Sequence, residues 1–416
     1  MSYYLIQGDK KLSGTVKVNS TKNSAVALLC ASLINQGTTE LLNFPNLEET
    51  RRIIKVLESV GVECKWKGKR HLQINPPQNL RLDKIDYKTA SKTRSVLLLL
   101  GSLLHCQKKF KIPRSGGCKL GLRTIKPYIY AFENFGVKIK TLGKYYSVDA
   151  SRKKPAQEII LYESGDTVTE AVLMAAAMFK NQTTIKYASA NYQVQEICFF
   201  LSKLGVKISG VGSTTLKVKG VGRVKKNIKY QLAEDPIDAI LFIALAATTN
   251  SSIIIKGCPI DFLELELLKL SKMGFKYEIL KRYLSKNKET KLVDIKTKPS
   301  KLKALTEKIY ARPYPGLNID NLPFFVPIAT QAAGQTLIHD WVYENRAIYY
   351  SELSRLGAKI TLADPHRVFI QGPTKLKGTE IVCPPALRPS IIILIAMMAA
   401  KGKSILRNIE GIDRGY

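Results

Sequence analysis

Apolar residues fall along this chain in two alternating kinds of segment. The first kind is apolar nearly all round, as a helix buried on every side is. Six stretches qualify: Ser24–Asn35, Arg94–His105, Thr169–Lys180, Ile237–Thr249, Leu322–Ala333 and Pro389–Lys401. A short polar turn follows most of them, as at Gln36-Gly-Thr-Thr, Asn181-Gln-Thr-Thr and Lys401-Gly-Lys-Ser. Strands rich in β-branched and aromatic residues come next, as at Thr184-Ile-Lys-Tyr and Ser252-Ile-Ile-Ile. The second kind is a helix end on one recurring signature: Leu57-Glu-Ser-Val-Gly-Val, Phe132-Glu-Asn-Phe-Gly-Val, Leu201-Ser-Lys-Leu-Gly-Val, Leu270-Ser-Lys-Met-Gly-Phe and Leu353-Ser-Arg-Leu-Gly-Ala. Its glycines, Gly61, Gly136, Gly205, Gly274 and Gly357, are placed as helix C-caps, where a left-handed backbone is needed.

The signature recurs about every 70 residues, too long a period for a solenoid and suited to a small α/β subdomain used six times. Each unit then holds one buried helix, one amphipathic helix and several strands. The 416 residues predict two or three domains. Continuing the period past Gly357 overshoots Tyr416, so the sixth unit is expected to lack its last helix and strand.

Composition narrows the function. A formal charge of +32 permits binding to nucleic acid or to an anionic membrane. The lysines are spread over the whole chain and form no basic tail. That distribution reads as a solvated surface with a cleft that concentrates small anions, and no specific nucleic-acid partner is expected. The N-terminus, Met1-Ser-Tyr-Tyr-Leu-Ile-Gln-Gly, has no basic region followed by a long apolar run and predicts no signal peptide. The longest apolar runs, such as Ile391–Ala400, are too short to span a bilayer. Seven scattered cysteines without a CxxC pair suggest neither a zinc site nor a disulfide framework, and a cytoplasmic location.

The densest chemistry is Lys111-Ile-Pro-Arg-Ser-Gly-Gly-Cys-Lys-Leu-Gly-Leu-Arg123. Two adjacent glycines precede Cys118, and Lys111, Arg114, Lys119 and Arg123 surround it. Cations beside a thiol favour its thiolate and would also hold an anionic substrate there. The starts of the six apolar helices carry the other candidates: Lys22 and Asn23, Arg94, Asp166, Asp235 with Asp238, Asp320, and Arg388. A single Asp or Asn there also reads as an ordinary cap. Lys or Arg at a helix N-terminus is electrostatically unfavourable, so Lys22, Arg94 and Arg388 together imply a bound phosphate or carboxylate. If the six helices are arranged symmetrically, their N-termini can converge on one cleft with Asp320 as its base. The tail adds Arg414, and Tyr343-Glu-Asn-Arg346 adds a charged turn. The four histidines are isolated and are assigned no catalytic or metal role.

These residues, in one register over essentially the whole chain, resemble the enolpyruvyl transferases. The matching pieces are Gln7-Gly8, Thr21-Lys-Asn-Ser24, Gly116-Gly-Cys-Lys-Leu-Gly121 with Arg123, Glu344-Asn-Arg346, Ser351-Glu-Leu-Ser-Arg-Leu-Gly357, Leu387-Arg388 and Ile412-Asp-Arg-Gly-Tyr416. The Gly-Gly-Cys loop is similar to that of the branch acting on UDP-N-acetylglucosamine, in peptidoglycan synthesis, and absent from the shikimate branch. The resemblance implies an inside-out α/β barrel of two domains, 22–230 and 1–21 plus 231–416, each of three units. It implies transfer of enolpyruvate from phosphoenolpyruvate to the sugar 3-hydroxyl through a phospholactoyl ketal, with no metal or cofactor. Cys118 would protonate or add to phosphoenolpyruvate and be the residue fosfomycin alkylates. Asp320 would take the hydroxyl proton. Lys22, Arg123, Arg388 and Arg414 would bind phosphate and carboxylate. Arg94 would face the diphosphate, Asn23 the sugar, and Val342 and Glu344 would be further substrate contacts.

The chain departs from the family pattern mainly on the nucleotide-sugar side. Thr124-Ile-Lys-Pro-Tyr128 replaces Pro-Val-Asp-Leu-His, Ala190-Asn-Tyr-Gln193 replaces Arg-Glu-Pro-Glu, and Glu234-Asp-Pro-Ile-Asp238 replaces Pro-Asp-Arg-Ile-Glu. Leu317-Asn-Ile-Asp320 replaces Phe-Pro-Thr-Asp, Ala386 replaces an Asp, and Glu48 replaces a Lys. Two other readings therefore stand beside the first: transfer to a different hydroxyl or nucleotide acceptor, and a non-catalytic relative that binds anions.

Overall fold

A helix without a polar face belongs at the centre of its unit. The computed structural model describes residues 2–114 and 124–416. They form two compact units, one of residues 20–114 with 124–233 and the other of residues 2–19 with 234–416. In the first unit the apolar helices Lys22–Ala31, Leu99–Leu103 and Asp166–Ala176 pack against one another. In the second, Pro236–Thr248, Phe325–Ala329 and Leu387–Ala399 do the same. Every residue from Ser24 to Ala31 is buried. The sheets lie outside these helices, and strands such as Thr215–Lys219 alternate buried and exposed positions, one face on the core and one in water. Helices within and sheets without is the inverse of an ordinary α/β barrel.

The described strands make six sheets. One of them shows the repeated unit. Glu158–Ile160 runs parallel to Gln182–Lys186, with the Asp166–Ala176 helix as the crossover between them. Thr215–Lys219 then pairs antiparallel with Gln182–Lys186, and Lys207–Ser209 with Thr215–Lys219. The sheet from Ile309–Tyr310 to Arg367–Gly372 repeats this plan. Two sheets take their parallel strand from elsewhere in the sequence: Ile228–Gln231 joins Thr39–Leu42, and Thr15–Lys17 joins Ile254–Pro259. The sheet of the last unit has three strands, and only two of them come from that unit. Glu380–Val382 runs parallel to Lys403–Arg407, and the N-terminal strand Tyr3–Gln7 pairs antiparallel on its other side. Glu410–Asp413 adds one helical turn.

All five signature glycines are left-handed, with φ of 98° at Gly61, 71° at Gly136, 102° at Gly205, 90° at Gly274 and 89° at Gly357. Helix lengths depart from the sequence pattern in two places. The Leu322–Ala333 stretch is a 3-10 turn, Leu322–Phe324, followed by the short helix Phe325–Ala329, with prolines 323 and 327 unable to donate backbone hydrogen bonds. The Arg94–His105 stretch likewise opens as 3-10, Arg94–Leu98. Among the described residues no helix is long and apolar enough to cross a membrane.

Gly101 marks how closely the central helices of the first unit approach. A Cβ there would lie 2.2 Å from the Ala171 carbonyl oxygen and 2.9 Å from Met174 Cβ. Gly101→Ala should therefore destabilise the protein by about 1–3 kcal/mol, the usual range for overpacking a tight core. Chemical denaturation checks this, and a wild-type midpoint would mean that the helices separate at no cost.

Candidate active site

In the first unit, Lys22 and Asn23 occupy the first turn of Lys22–Ala31. Thr21 caps that helix by accepting from the Ser24 N–H at 3.3 Å. Asn23 Nδ2 donates to the Tyr192 hydroxyl at 3.0 Å and to Gln193 Oε1 at 3.2 Å. Both partners open the helix Tyr192–Lys203, capped by Asn191. Arg94 stands at the start of its 3-10 turn, and its Nη2 donates to the Thr124 carbonyl at 2.9 Å. Four residues on, buried Tyr128 donates to Thr167 Oγ1 at 2.7 Å. The altered Thr124–Tyr128 segment is thus fixed at both ends, once by Arg94.

In the second unit, Asp320 and Arg388 come together. Arg388 lies in the first turn of Leu387–Ala399, where only 7% of it is exposed, and its Nη2 is 3.3 Å from Asp320 Oδ2. Its Nη1 donates to the Tyr416 hydroxyl, and the guanidinium stands 5.3 Å from the centroid of that ring. Asp320 is oriented by its own N–H, which donates to Asn318 Oδ1 at 2.8 Å. A second guanidinium backs it. Arg346 is wholly buried, with Nε 2.6 Å from Asp340 Oδ2 and Nη2 2.9 Å from Asp340 Oδ1. The same Nη2 donates to the Ile319 carbonyl at 2.8 Å, and Nη1 lies 4.0 Å from Asp320 Oδ1 with no hydrogen-bond partner. Tyr350 donates to Asp340 at 2.5 Å, and the Tyr343 ring lies 4.5 Å from the Arg346 guanidinium. Two cations therefore stabilise negative charge at Asp320.

The remaining candidates take simpler places. Arg414 follows the Glu410–Asp413 turn two residues before Tyr416. Val342 and Glu344 are exposed on the turn that leads to Arg346, beside Trp341, whose indole N–H donates to the Ala311 carbonyl at 2.8 Å. Cys118 and Arg123 lie outside the described residues. Other cysteines are poor nucleophiles: burial pushes the thiols of Cys64 and Cys198 up to about 12.

Two groups that the sequence reading did not single out belong to these clusters. Asp340 holds Arg346. Glu170, only 1% exposed, has its carboxyl pushed well above the ordinary carboxylate range by burial and then by Asp166. A signal for it existed, since it is the single charged residue in Val168-Thr-Glu-Ala-Val-Leu-Met-Ala-Ala176.

A sequence model of the EPSP synthase (3-phosphoshikimate 1-carboxyvinyltransferase) family matches residues 6–416. The chain belongs to this family of enolpyruvyl transferases. Proteins named UDP-N-acetylglucosamine 1-carboxyvinyltransferase from Treponema denticola and Helicobacter pylori are each 32% identical to this enolpyruvyl transferase over its full length, covering 96% and 95% of their own. Among solved structures, the enolpyruvyl transferase NikO from Streptomyces tendae superposes with a TM-score of 0.85 at 21% identity, over 100% of this chain and 94% of that one. EPSP synthase from Acinetobacter baumannii superposes at 0.75 and 18% identity, over 99% and 95%. Both share the fold with this enolpyruvyl transferase.

Proposed function

We propose that this enzyme transfers the enolpyruvyl group of phosphoenolpyruvate to the 3-hydroxyl of UDP-N-acetylglucosamine and releases phosphate, in the cytoplasm, as the first committed step of peptidoglycan synthesis. The observation that carries this reading is the Asp320–Arg388 pair, a carboxylate set against a buried cation at a helix N-terminus. The full-length likeness to the two named relatives supports the acceptor.

In this reading the sugar hydroxyl oxygen adds to C2 of phosphoenolpyruvate, Asp320 takes the hydroxyl proton, and the Cys118 thiol delivers a proton to C3. The ketal then loses phosphate from C2 and a proton from C3, which restores the enol ether. Lys22, Arg123, Arg388 and Arg414 hold the phosphate and carboxylate, Arg94 the diphosphate and Asn23 the sugar, with Val342 and Glu344 as further contacts. Donors fixed before the reaction stabilise the developing charge without reorganising. A phosphate arriving at Arg388 competes with Asp320 for that guanidinium. Asp320 loses a stabilising cation and becomes a stronger base when the substrate is in place. No metal or organic cofactor enters these steps.

A second reading, transfer to another hydroxyl acceptor, is favoured by one set of contacts. The Thr124–Tyr128 segment is held by Arg94 and Thr167 through residues that differ from the family pattern. Phosphate release decides between the two. The expected result is release from phosphoenolpyruvate that depends on UDP-N-acetylglucosamine, is blocked by fosfomycin, and leaves a mass adduct on the Cys118 peptide. Release with a different hydroxyl compound alone would establish the second reading. No release with any acceptor, from folded protein, would reject both.

A further inference from the structure

An asparagine amide carries two N–H protons and one oxygen, so the partners of its nitrogen decide which atom is left for a ligand. At Asn23 both protons are taken. Nδ2 donates to the Tyr192 hydroxyl at 3.0 Å and to Gln193 Oε1 at 3.2 Å, and among the described residues nothing donates to Oδ1. Tyr192 and Gln193 are each 5% exposed, whereas Asn23 is only partly buried. The two acceptors are themselves fixed. Their helix cap, Asn191, accepts from the Tyr192 N–H at 2.9 Å and donates through Nδ2 to Asp166 Oδ2 at 3.0 Å. Ser189 Oγ donates to the other oxygen of Asp166 at 2.5 Å. Asp166 and Thr167, which accepts from Tyr128, are successive residues at the start of one central helix. Segments 124–128 and 190–193, both of which depart from the family pattern, are thus tied to a single helix start. Within 190–193 the pattern's proline is Tyr192 and its last glutamate is Gln193. A proline side chain could take no proton from Asn23, so the tyrosine hydroxyl is an acceptor that this chain adds, and glutamine keeps one oxygen beside it.

We propose that Tyr192 and Gln193 are positioning residues for acceptor recognition: by taking both amide protons of Asn23, they leave its Oδ1 as the atom offered to a hydroxyl or N–H donor of the nucleotide sugar. The inference rests on the contact between Asn23 and the acceptor in the proposed function. It makes Asn23 an acceptor and not a donor in that contact. An amide held at both protons cannot turn over without breaking two hydrogen bonds, so the acceptor meets an oxygen already in place.

Steady-state phosphate release, varying each substrate in turn, tests this with Tyr192→Phe, Gln193→Leu and Gln193→Glu. The first two each remove one acceptor and should each raise the KM for UDP-N-acetylglucosamine about fivefold, the worth of one hydrogen bond, with the KM for phosphoenolpyruvate unchanged within about twofold. Glutamate can only accept, so it holds Asn23 as observed and should stay within about twofold of wild type on both substrates. In an Asn23→Ala background neither Tyr192→Phe nor Gln193→Leu should raise the sugar KM further, because both act through that amide. If the leucine variant fails to fold, Tyr192→Phe, which keeps the buried ring, carries the test. Equal shifts in both KM values, an unchanged sugar KM, a glutamate variant as impaired as the leucine one, or full effects that persist without Asn23 would overturn the proposal. If phosphate release depends on a different hydroxyl acceptor, the assignment of UDP-N-acetylglucosamine falls, and the same split measured on that acceptor decides the roles of Tyr192 and Gln193. Folded wild-type protein inert with every acceptor would overturn both.

Discussion

Asp320→Asn should lower kcat by roughly 100- to 10,000-fold, the usual contribution of a positioned general base. Asparagine keeps the size and the hydrogen-bonding reach of the side chain, so Arg388 retains a partner and the fold should hold. The KM for phosphoenolpyruvate should stay level or fall, because Arg388, 3.3 Å from Asp320 Oδ2, no longer has a carboxylate competing with phosphate. Loss of kcat without loss of binding is the pattern of an interaction made only in the transition state. Steady-state kinetics with both substrates varied reads the split directly. A variant within tenfold of wild type would mean that the hydroxyl proton leaves by another route, and the role assigned to Asp320 would fall.

The repeat was legible because backbone physics wrote it. A helix that ends on a left-handed residue needs glycine, and the five signature glycines all take that conformation. The buried helices were legible because their residues are apolar on all sides. Pairing between distant segments was not. Nothing local in Tyr3–Gln7 states that it completes the sheet of Lys403–Arg407, since a strand's partner is fixed by tertiary packing and not by its own alternation. The site divides in the same way. Lys22, Arg94 and Arg388 stood out as cations where a helix dipole disfavours them. Arg346 read as part of a charged turn, because its burial depends on Asp340, a residue on a different element. Glu170 carried a compositional signal, one acid in an apolar helix, but what surrounds it is set only by packing.

Breaking the Asp340–Arg346 pair should cost more stability than any other change considered for this chain. Both side chains are fully buried and joined by two hydrogen bonds of 2.6 and 2.9 Å, with Tyr350 on the same carboxylate. Asp340→Asn removes the charge that compensates Arg346, and an uncompensated buried guanidinium costs about 3–5 kcal/mol. For a unit of this size that corresponds to a fall in Tm of roughly 6–20 °C, read by calorimetry. Adding Arg346→Met to Asp340→Asn removes the stranded charge and should recover part of the lost stability, because no uncompensated charge is then left buried. Activity should not recover with it. Arg346 also holds the Ile319 carbonyl and sets its Nη1 4.0 Å from Asp320, and methionine does neither. A double variant that is stable but slow would separate the two roles of Arg346, one in the fold and one at the base. Recovery of both stability and kcat would show that the pair serves the fold alone and that Asp320 is oriented by Asn318 and Arg388 without it.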